Sequence, residues 1–164
     1  MIFATVGTHE DPFDRLVHEL DRLVESRELT EPVHIQRGYS APPRACTHDA
    51  MMPFVAVQAK MREARVVVSH GGPATIMQAL ALGKVPVVVP RRSAFGEHVD
   101  DHQVRFASRI ADRVLVVLDI ADLGPTLRDH AARVAGMGQG AGGPERARAF
   151  AARLDALCAA LVAR

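Results

Sequence analysis

The sequence has little cysteine: Cys46 and Cys158 are the two in the chain, and they stand far apart. This scarcity excludes a disulfide-rich secreted scaffold and indicates a reducing compartment. No stretch reaches the ~20 consecutive apolar residues that a membrane-spanning helix needs. The first residues, MIFATVGTHEDP, also lack the basic start and long apolar run of a signal peptide. We therefore expect a cytoplasmic protein that reaches a membrane through its surface or a partner.

Several signals of function are missing as well. No lysine follows a glycine-rich loop in the Walker arrangement, so the sequence does not support ATP hydrolysis of the P-loop kind. No G-x-S-x-G elbow accompanies the His-Gly-Gly turn at His70–Gly72, which argues against a lipase-type hydrolase. The formal net charge is +1, so no excess of basic residues supports general binding to nucleic acid.

The segment Arg65–Pro90, RVVVSHGGPATIMQALALGKVPVVVP, predicts the centre of the fold. Two apolar runs, Val66–Ser69 and Val85–Val89, enclose a glycine turn and an amphipathic helix from Pro73 to about Leu82. This arrangement is typical of a βαβ unit, in which both strands are buried in a parallel sheet.

Strand and helix patterns alternate along the rest of the chain. Predicted strands cover Ile2–Val6, Val33–Gln36 and Val114–Leu118, and predicted helices start near Asp11, Phe54, Val99 and Asp119. The alternation predicts an α/β fold, a Rossmann-like three-layer sandwich with a parallel sheet, over residues 1–135. A glycine-rich linker, 136–144, and a C-terminal docking helix, 145–164, are predicted to follow.

The C-terminal segment carries two patterns. Residues 138–143 spell G-x-G-x-x-G, but they neither follow a strand nor open a βαβ unit, which argues against dinucleotide binding. The predicted helix after them has an apolar stripe that the domain or another chain must cover: Phe150, Leu154, Leu157, Cys158 and Leu161.

The glycine turn before the central helix predicts an anion site. Gly71 and Gly72 let the backbone turn tightly, and Pro73 suits the first helical position. The free N–H groups of the first helical turn and the helix dipole then favour a phosphate. Thr8, after the first predicted strand, would lie at the same sheet edge and could bond the phosphate as well. A plain structural turn is the alternative at both places.

A polar cluster follows the central unit. His98, Asp101 and His102 are spaced i, i+3 and i+4, which could place them on one helical face as metal ligands. Because no further ligand is near in the sequence, a polar face turned toward a ligand pocket is the favoured interpretation. Asp101 and Gln103 can hydrogen-bond hydroxyl groups, as recognition of a sugar would require.

Taken together, SHGGPATIMQALALGKVPVVVP and the following GEHVDDHQVRFA resemble the C-terminal, nucleotide-sugar-binding half of GT-B glycosyltransferases of family 28. The resemblance covers roughly Met1 to Leu118 and is strongest toward the small catalytic subunits of two-part transferases. Such subunits act in exopolysaccharide and dolichol-linked oligosaccharide synthesis, and the exopolysaccharide ones begin with a V-G-T-H-E segment much like Thr5–Glu10 here. The resemblance implies that this chain is one half of a GT-B fold.

The resemblance also implies which residues bind the donor. Gly7 and Thr8 match the loop that faces the donor diphosphate, and Phe54 and Val55 match the segment beside the uracil. Gln78 stands where the family usually has a glutamate that holds the ribose hydroxyls, and it lacks the charge of that carboxylate. The diphosphate loop and the sugar-reading segment complete the implied set: His70, Gly71, Gly72, Pro73, Ala74, Thr75, Asp101, His102 and Gln103.

The implied reaction is transfer of a sugar from a UDP-sugar to a lipid-linked acceptor, with inversion and without a metal or other cofactor. A general base must deprotonate the acceptor, and it lies on a partner or is His9 or His70. Because a GT-B enzyme needs two halves, we expect a membrane-anchored subunit that binds the acceptor. That subunit would hold this chain at the cytoplasmic face of the membrane.

Two other functions stay open. The glutamine at position 78 is compatible with a non-catalytic nucleotide-sugar-binding or regulatory module, which binding of UDP without transfer would favour. A homodimeric structural domain would be favoured if neither UDP nor UDP-sugars bind, and the isolated chain could pair with itself in either case.

Overall fold

The computed structural model describes residues 1–137, and the predictions for residues 138–164 lie outside this part of the chain. The strands are β1 (Ile2–Thr5), β2 (Val33–Gln36), β3 (Thr47–Asp49), β4 (Val66–Ser69), β5 (Val87–Val88) and β6 (Leu115–Val116). The helices are α1 (Asp14–Glu25), α2 (Phe54–Glu63), α3 (Pro73–Ala81), α4 (His102–Arg109), α5 (Leu123–Arg128) and α6 (His130–Gly136). Most of the predicted linker, the docking helix and its apolar stripe therefore have no structural description.

The strands form one parallel sheet in the order β3-β2-β1-β4-β5-β6. β1 lies at the centre and pairs with β2 on one side and β4 on the other, from Ile2 through Thr5. This is the strand order of doubly wound nucleotide-binding folds. The predicted Rossmann-like α/β fold with a parallel sheet is confirmed.

Helices cover both faces of the sheet, which explains why the central strands are apolar at successive positions. Ile2 and Ala4 point to one face, where they share a buried cluster with residues of α1 and α5. Phe3 points to the other face and packs with Met61 of α2. Burial of one such large apolar side chain contributes about 1.5–3 kcal/mol, so both helical layers are tied to the sheet by its alternating side chains.

The edge strand β3 is absent from the sequence prediction. Its residues Thr47, His48 and Asp49 are all exposed, so no apolar pattern marks them as a strand. The strand is held instead by its backbone pairing with β2 and by His34, whose ring nitrogens lie 3.0 Å from Thr47 Oγ1 and 3.1 Å from Asp49 Oδ2. A polar edge strand of this kind also blocks pairing with other sheets.

Two helical predictions need correction. α4 begins at His102 rather than near Val99, because Oδ1 of Asp100 accepts the N–H of His102 at 3.0 Å and the preceding residues form turns. The predicted helix over 119–135 is interrupted at Asp129, which separates α5 from α6. The strands β5 and β6 are also shorter than the apolar runs that predicted them.

The neighbouring strands β1 and β4 mark the point where the chain changes face. After β1 the chain leads to α1 on one face, and after β4 it leads to α3, whose Ala79 packs on the other face. A crevice opens at the carboxyl edge of such a sheet where connections diverge, and ligands bind there. Among residues 1–137, no helix has both the length and the apolar character to cross a membrane.

Candidate functional site

A row of polar side chains ends three neighbouring strands at the crevice. Thr5, Gln36 and Ser69 are the last residues of β1, β2 and β4, and they lie side by side in the sheet register. The Thr5 hydroxyl donates a hydrogen bond to Gln36 Oε1 at 2.5 Å. The buried Ser69 hydroxyl has no hydrogen-bond partner within the described residues. The floor of the crevice is therefore polar, although the strands beneath it are apolar.

A cleft of about 380 Å³ lies above this row. It brings together nine of the residues that the sequence predicts to bind a donor: Gly7, Thr8, Phe54, His70, Gly72, Pro73, Ala74, Thr75 and Gln78. Four residues of its lining were missed by the sequence prediction: Thr5, Gln36, Met52 and Val57. Thr5 and Gln36 could have been found, because each is a polar residue that closes an apolar strand at the predicted binding edge.

The N-terminus of α3 opens into this cleft. Pro73 occupies the first turn, and no side chain in the described part of the chain caps the preceding Gly72. The first backbone bond of the helix runs from the N–H of Ile76 to the carbonyl of Gly72 at 3.1 Å. The N–H groups of Ala74 and Thr75 precede it and have no partner inside the helix. Together with the helix dipole, they form a site for an anion.

His70 fills the space between the two glycine loops. Its Nδ1 lies 3.3 Å from the carbonyl oxygen of Thr5, which fixes Nδ1 as the proton donor and leaves Nε2 as an acceptor. Burial, together with the positive charge of Arg91, lowers the pKa of His70 to about 4. The ring is therefore neutral at pH 7 and a weak proton acceptor, which argues against His70 as the general base.

Gly7 and Gly72 are required by the position of this ring. A Cβ atom at Gly7 would lie 2.6 Å from His70 Nε2, and one at Gly72 would lie 2.5 Å from the same atom. Gly7 also has a φ of 78°, which side-chain-bearing residues rarely adopt, whereas Gly72 has an ordinary φ of −67°. Glycine at 72 is thus demanded by packing rather than by backbone conformation.

Arg91 holds the loops around the cleft together and was not predicted. It is fully buried, with its guanidinium 4.9 Å from the centre of the Phe13 ring. The side chain donates hydrogen bonds to the carbonyl oxygens of Val6 at 3.0 Å and Asp11 at 2.8 Å. The loop after β1 is therefore fixed to the loop after β5 by one buried cation.

The predicted sugar-reading segment lies outside the cleft lining. Gln103 is buried, and its Oε1 accepts the N–H of Arg91 at 3.1 Å. Asp101 accepts hydrogen bonds from the backbone N–H of Ser93 at 2.8 Å and from its hydroxyl at 3.0 Å. Gln103 packs directly behind Gly71, where an added Cβ would meet its Cβ at 3.1 Å. In this structure both side chains shape the loops rather than face the cleft.

The remaining predicted residues are placed as follows. Val55 is 74% exposed on α2, away from the cleft lining. His9 lies on the loop after β1, with its ring centre 4.8 Å from that of His98. The ring of His98 in turn lies 4.6 Å from that of His102 at the start of α4, so three histidines form one cluster outside the cleft lining. Burial lowers the pKa of His98, and the neighbouring histidines lower it further.

The chain was compared with known protein families. The sequence matches the glycosyltransferase family 28 C-terminal domain over residues 1–130. That range includes every strand of the sheet and every residue of the cleft lining. A search of curated proteins gave no match.

Two solved structures have a similar fold. One is the glycotransferase of kitacinnamycin, with 18% sequence identity and a TM-score of 0.54. The other is the calicheamicin glycosyltransferase, with 17% identity and a TM-score of 0.57. Each alignment covers 93% of this chain but 42% and 41% of the respective neighbour. The chain therefore spans about two fifths of the length of these two proteins.

Proposed function

The chain belongs to the glycosyltransferase family 28 C-terminal domain family, and from this membership we propose that it is the donor-binding part of a UDP-sugar-dependent hexosyltransferase. The observation that carries the proposal is the cleft at the β1–β4 crevice, where the α3 N-terminus, two glycine turns and a polar floor meet. The proposed reaction transfers the sugar, with inversion, to a lipid-linked acceptor in exopolysaccharide or related glycan synthesis.

The donor diphosphate would bind at the α3 N-terminus. The N–H groups of Ala74 and Thr75 and the hydroxyl of Thr8 supply hydrogen-bond donors, and the helix dipole places about half a positive charge there. These groups stabilise the charge that grows on departing UDP, so we propose that transfer needs no metal at the diphosphate. His70 would pack behind this site without bonding the diphosphate. Its ring is neutral at pH 7 and its Nε2 carries no proton to donate.

The nucleoside would occupy the α2 side of the cleft. Phe54 is 58% exposed and lines the cleft together with Met52 and Val57, which gives an apolar surface for the uracil. Gln78 lines the cleft as well and would bond a ribose hydroxyl through its amide. An amide makes a weaker bond than the glutamate that the family resemblance implies at this position.

A second subunit would supply the acceptor. Large apolar side chains are exposed beside the carboxyl edge of the sheet, among them Tyr39 after β2, Met51 after β3 and Val55 on α2. An acceptor-binding partner with a membrane anchor would cover this surface. Sugar transfer would then take place at the cytoplasmic face of the membrane. The general base would come from that partner or from His9, which follows the cleft residues Gly7 and Thr8 on the loop after β1.

Calorimetric titration of the chain with UDP and UDP-sugars tests the donor site. We expect saturable binding that Gly72→Val abolishes, because a branched side chain at 72 meets the His70 ring. Unchanged UDP affinity in Gly72→Val would show that UDP does not bind in this cleft.

Transfer requires a separate assay with a candidate membrane-anchored partner and a lipid-linked acceptor. We expect turnover from the pair and little from the chain alone. UDP binding without transfer by the pair would instead favour a non-catalytic nucleotide-sugar-binding or regulatory module, the alternative that Gln78 keeps open.

A further inference from the structure

The loop before α4 and the first residue of that helix bring metal-binding side chains together outside the donor cleft. His98, Asp100 and His102 each offer one ligand atom, and these atoms lie within 4.8 Å of one another. Asp100 Oδ1 is the centre of the group, 2.5 Å from Nδ1 of His102 and 3.9 Å from Nδ1 of His98. We propose that these three residues bind a divalent transition-metal ion, for which Zn²⁺ is the best chemical match.

The distances suit such an ion. Zinc bonds to histidine nitrogen and carboxylate oxygen are about 2.1 Å long, so two ligand atoms of a tetrahedral site stand about 3.4 Å apart. The separations of 2.5 Å and 3.9 Å lie on either side of that value, and small side-chain rotations equalise them. Two imidazoles and one carboxylate form a borderline-soft set that leaves the fourth position to water.

The surrounding structure holds the ligands in place. The backbone N–H of His102 donates to Asp100 Oδ1, which sets the turn between the ligands, and Arg105 lies 3.4 Å from Asp100 Oδ2. His98 is largely covered, with the rings of His9 and His102 on its two sides. Its Nδ1 accepts the N–H of the adjacent Val99 at 2.9 Å, a local contact that a metal ion would replace. Outer contacts of this kind orient metal ligands.

The ion would not touch the donor diphosphate. None of the three ligands belongs to the cleft lining. Asp101, the acid that helical spacing would place beside the two histidines, instead accepts a hydrogen bond from Ser93. The ion would instead fix the segment between β5 and α4. Because His9 packs on His98, it would also secure the loop after β1. The inference is therefore independent of the UDP-sugar proposal.

The test uses the full chain, purified without a polyhistidine tag, stripped with EDTA and titrated with Zn²⁺ by calorimetry. We expect one Zn²⁺ per chain, and an affinity about 10- to 100-fold lower in His98→Ala and in His102→Ala. The control is His18→Ala, since His18 is exposed on α1 and should leave Zn²⁺ affinity unchanged. Circular dichroism establishes that each variant keeps the fold.

Cobalt gives a spectroscopic readout of the same ligands. Co²⁺ should produce visible absorption bands in the wild-type chain and lose them in His102→Ala. Absence of saturable 1:1 binding, or equal Zn²⁺ affinity in the wild type and both ligand variants, would overturn the proposal. A parallel UDP titration in EDTA separates the two sites: unchanged UDP affinity supports independent sites, and a tenfold loss would overturn their separation.

Discussion

Arg91 can be tested by replacement with lysine, which keeps the charge but changes its geometry. The guanidinium Nη1 donates to the carbonyl oxygens of Asp11 at 2.8 Å, Pro12 at 3.1 Å and Glu97 at 3.0 Å. Its Nη2 donates to the carbonyl oxygen of Val6 at 3.0 Å. A lysine ammonium is a compact point charge, so it cannot bond the carbonyl groups around both guanidinium nitrogens at once.

The loss can be estimated from these bonds. A hydrogen bond to a charged group contributes about 1.5–3 kcal/mol, and a buried acceptor without a partner costs a similar amount. If the ammonium keeps about half of the bonds, Arg91→Lys should lower the free energy of unfolding by about 3–6 kcal/mol. Whole domains are stable by about 5–15 kcal/mol, so the variant should still fold but with a much smaller margin.

Urea unfolding followed by far-UV circular dichroism measures this difference. With a slope of about 1–3 kcal/mol per molar urea, the midpoint of Arg91→Lys should fall by about 2 M. The control is Arg92→Lys: the Arg92 guanidinium lies 5.3 Å from the Phe95 ring centre near the surface, and its loss should cost about 1 kcal/mol or less. A cost below about 1 kcal/mol for Arg91→Lys as well would refute the reasoning.

Three further predictions concern the cleft. Gly72→Ala should weaken UDP binding at least tenfold in calorimetry and cost about 1–3 kcal/mol of stability, because its methyl group displaces the His70 ring. Gly136→Ala, which meets open space in α6, should leave UDP binding unchanged and should not lower stability. Gln78→Glu should tighten UDP binding about fivefold through charge-assisted bonds to the ribose. Equal UDP affinity in Gln78→Glu and the wild type would show that residue 78 does not contact the ribose. The pKa of His70 is about 4 in the fold and near 6.5 in the unfolded chain. Its contribution to the free energy of unfolding is therefore fully present above pH 6.5 and is lost as the pH falls toward 4. In urea titrations, the unfolding free energy of His70→Asn should therefore depend less on pH over that range, by about 3 kcal/mol, and parallel pH profiles would contradict the burial argument.

The sequence predicted the elements whose signals are local. β2 matches its predicted bounds, since its apolar residues are buried and polar turns flank it. α3 begins at Pro73 as predicted, because proline suits a first helical turn after a glycine loop. β3 could not be predicted in this way, since Thr47, His48 and Asp49 form a strand only through pairing with β2.

The sequence also did not predict the roles of side chains whose partners lie far away along the chain. An arginine in a polar loop is normally exposed, and the burial of Arg91 follows only once the loop after β1 is seen beside it. A helical pattern puts Asp101, not Asp100, on the face of His98 and His102, but α4 starts after both acids. The turn before α4 sends Asp100 toward the histidines and Asp101 toward Ser93, the opposite of what helical spacing predicts.

The His70 ring, enclosed by Gly7 and Gly72, makes positions 70 and 72 dependent on one another in evolution. A side chain at 72 is harmful because the ring occupies its space, so the same change should be tolerated once position 70 is small. Gly72→Ala combined with His70→Ala should then cost less than the sum of the single changes. A small residue at 70 would not make a side chain acceptable at position 7, because the φ of 78° at Gly7 itself disfavours one. Related sequences should therefore vary at 70 and 72 together while keeping glycine at 7.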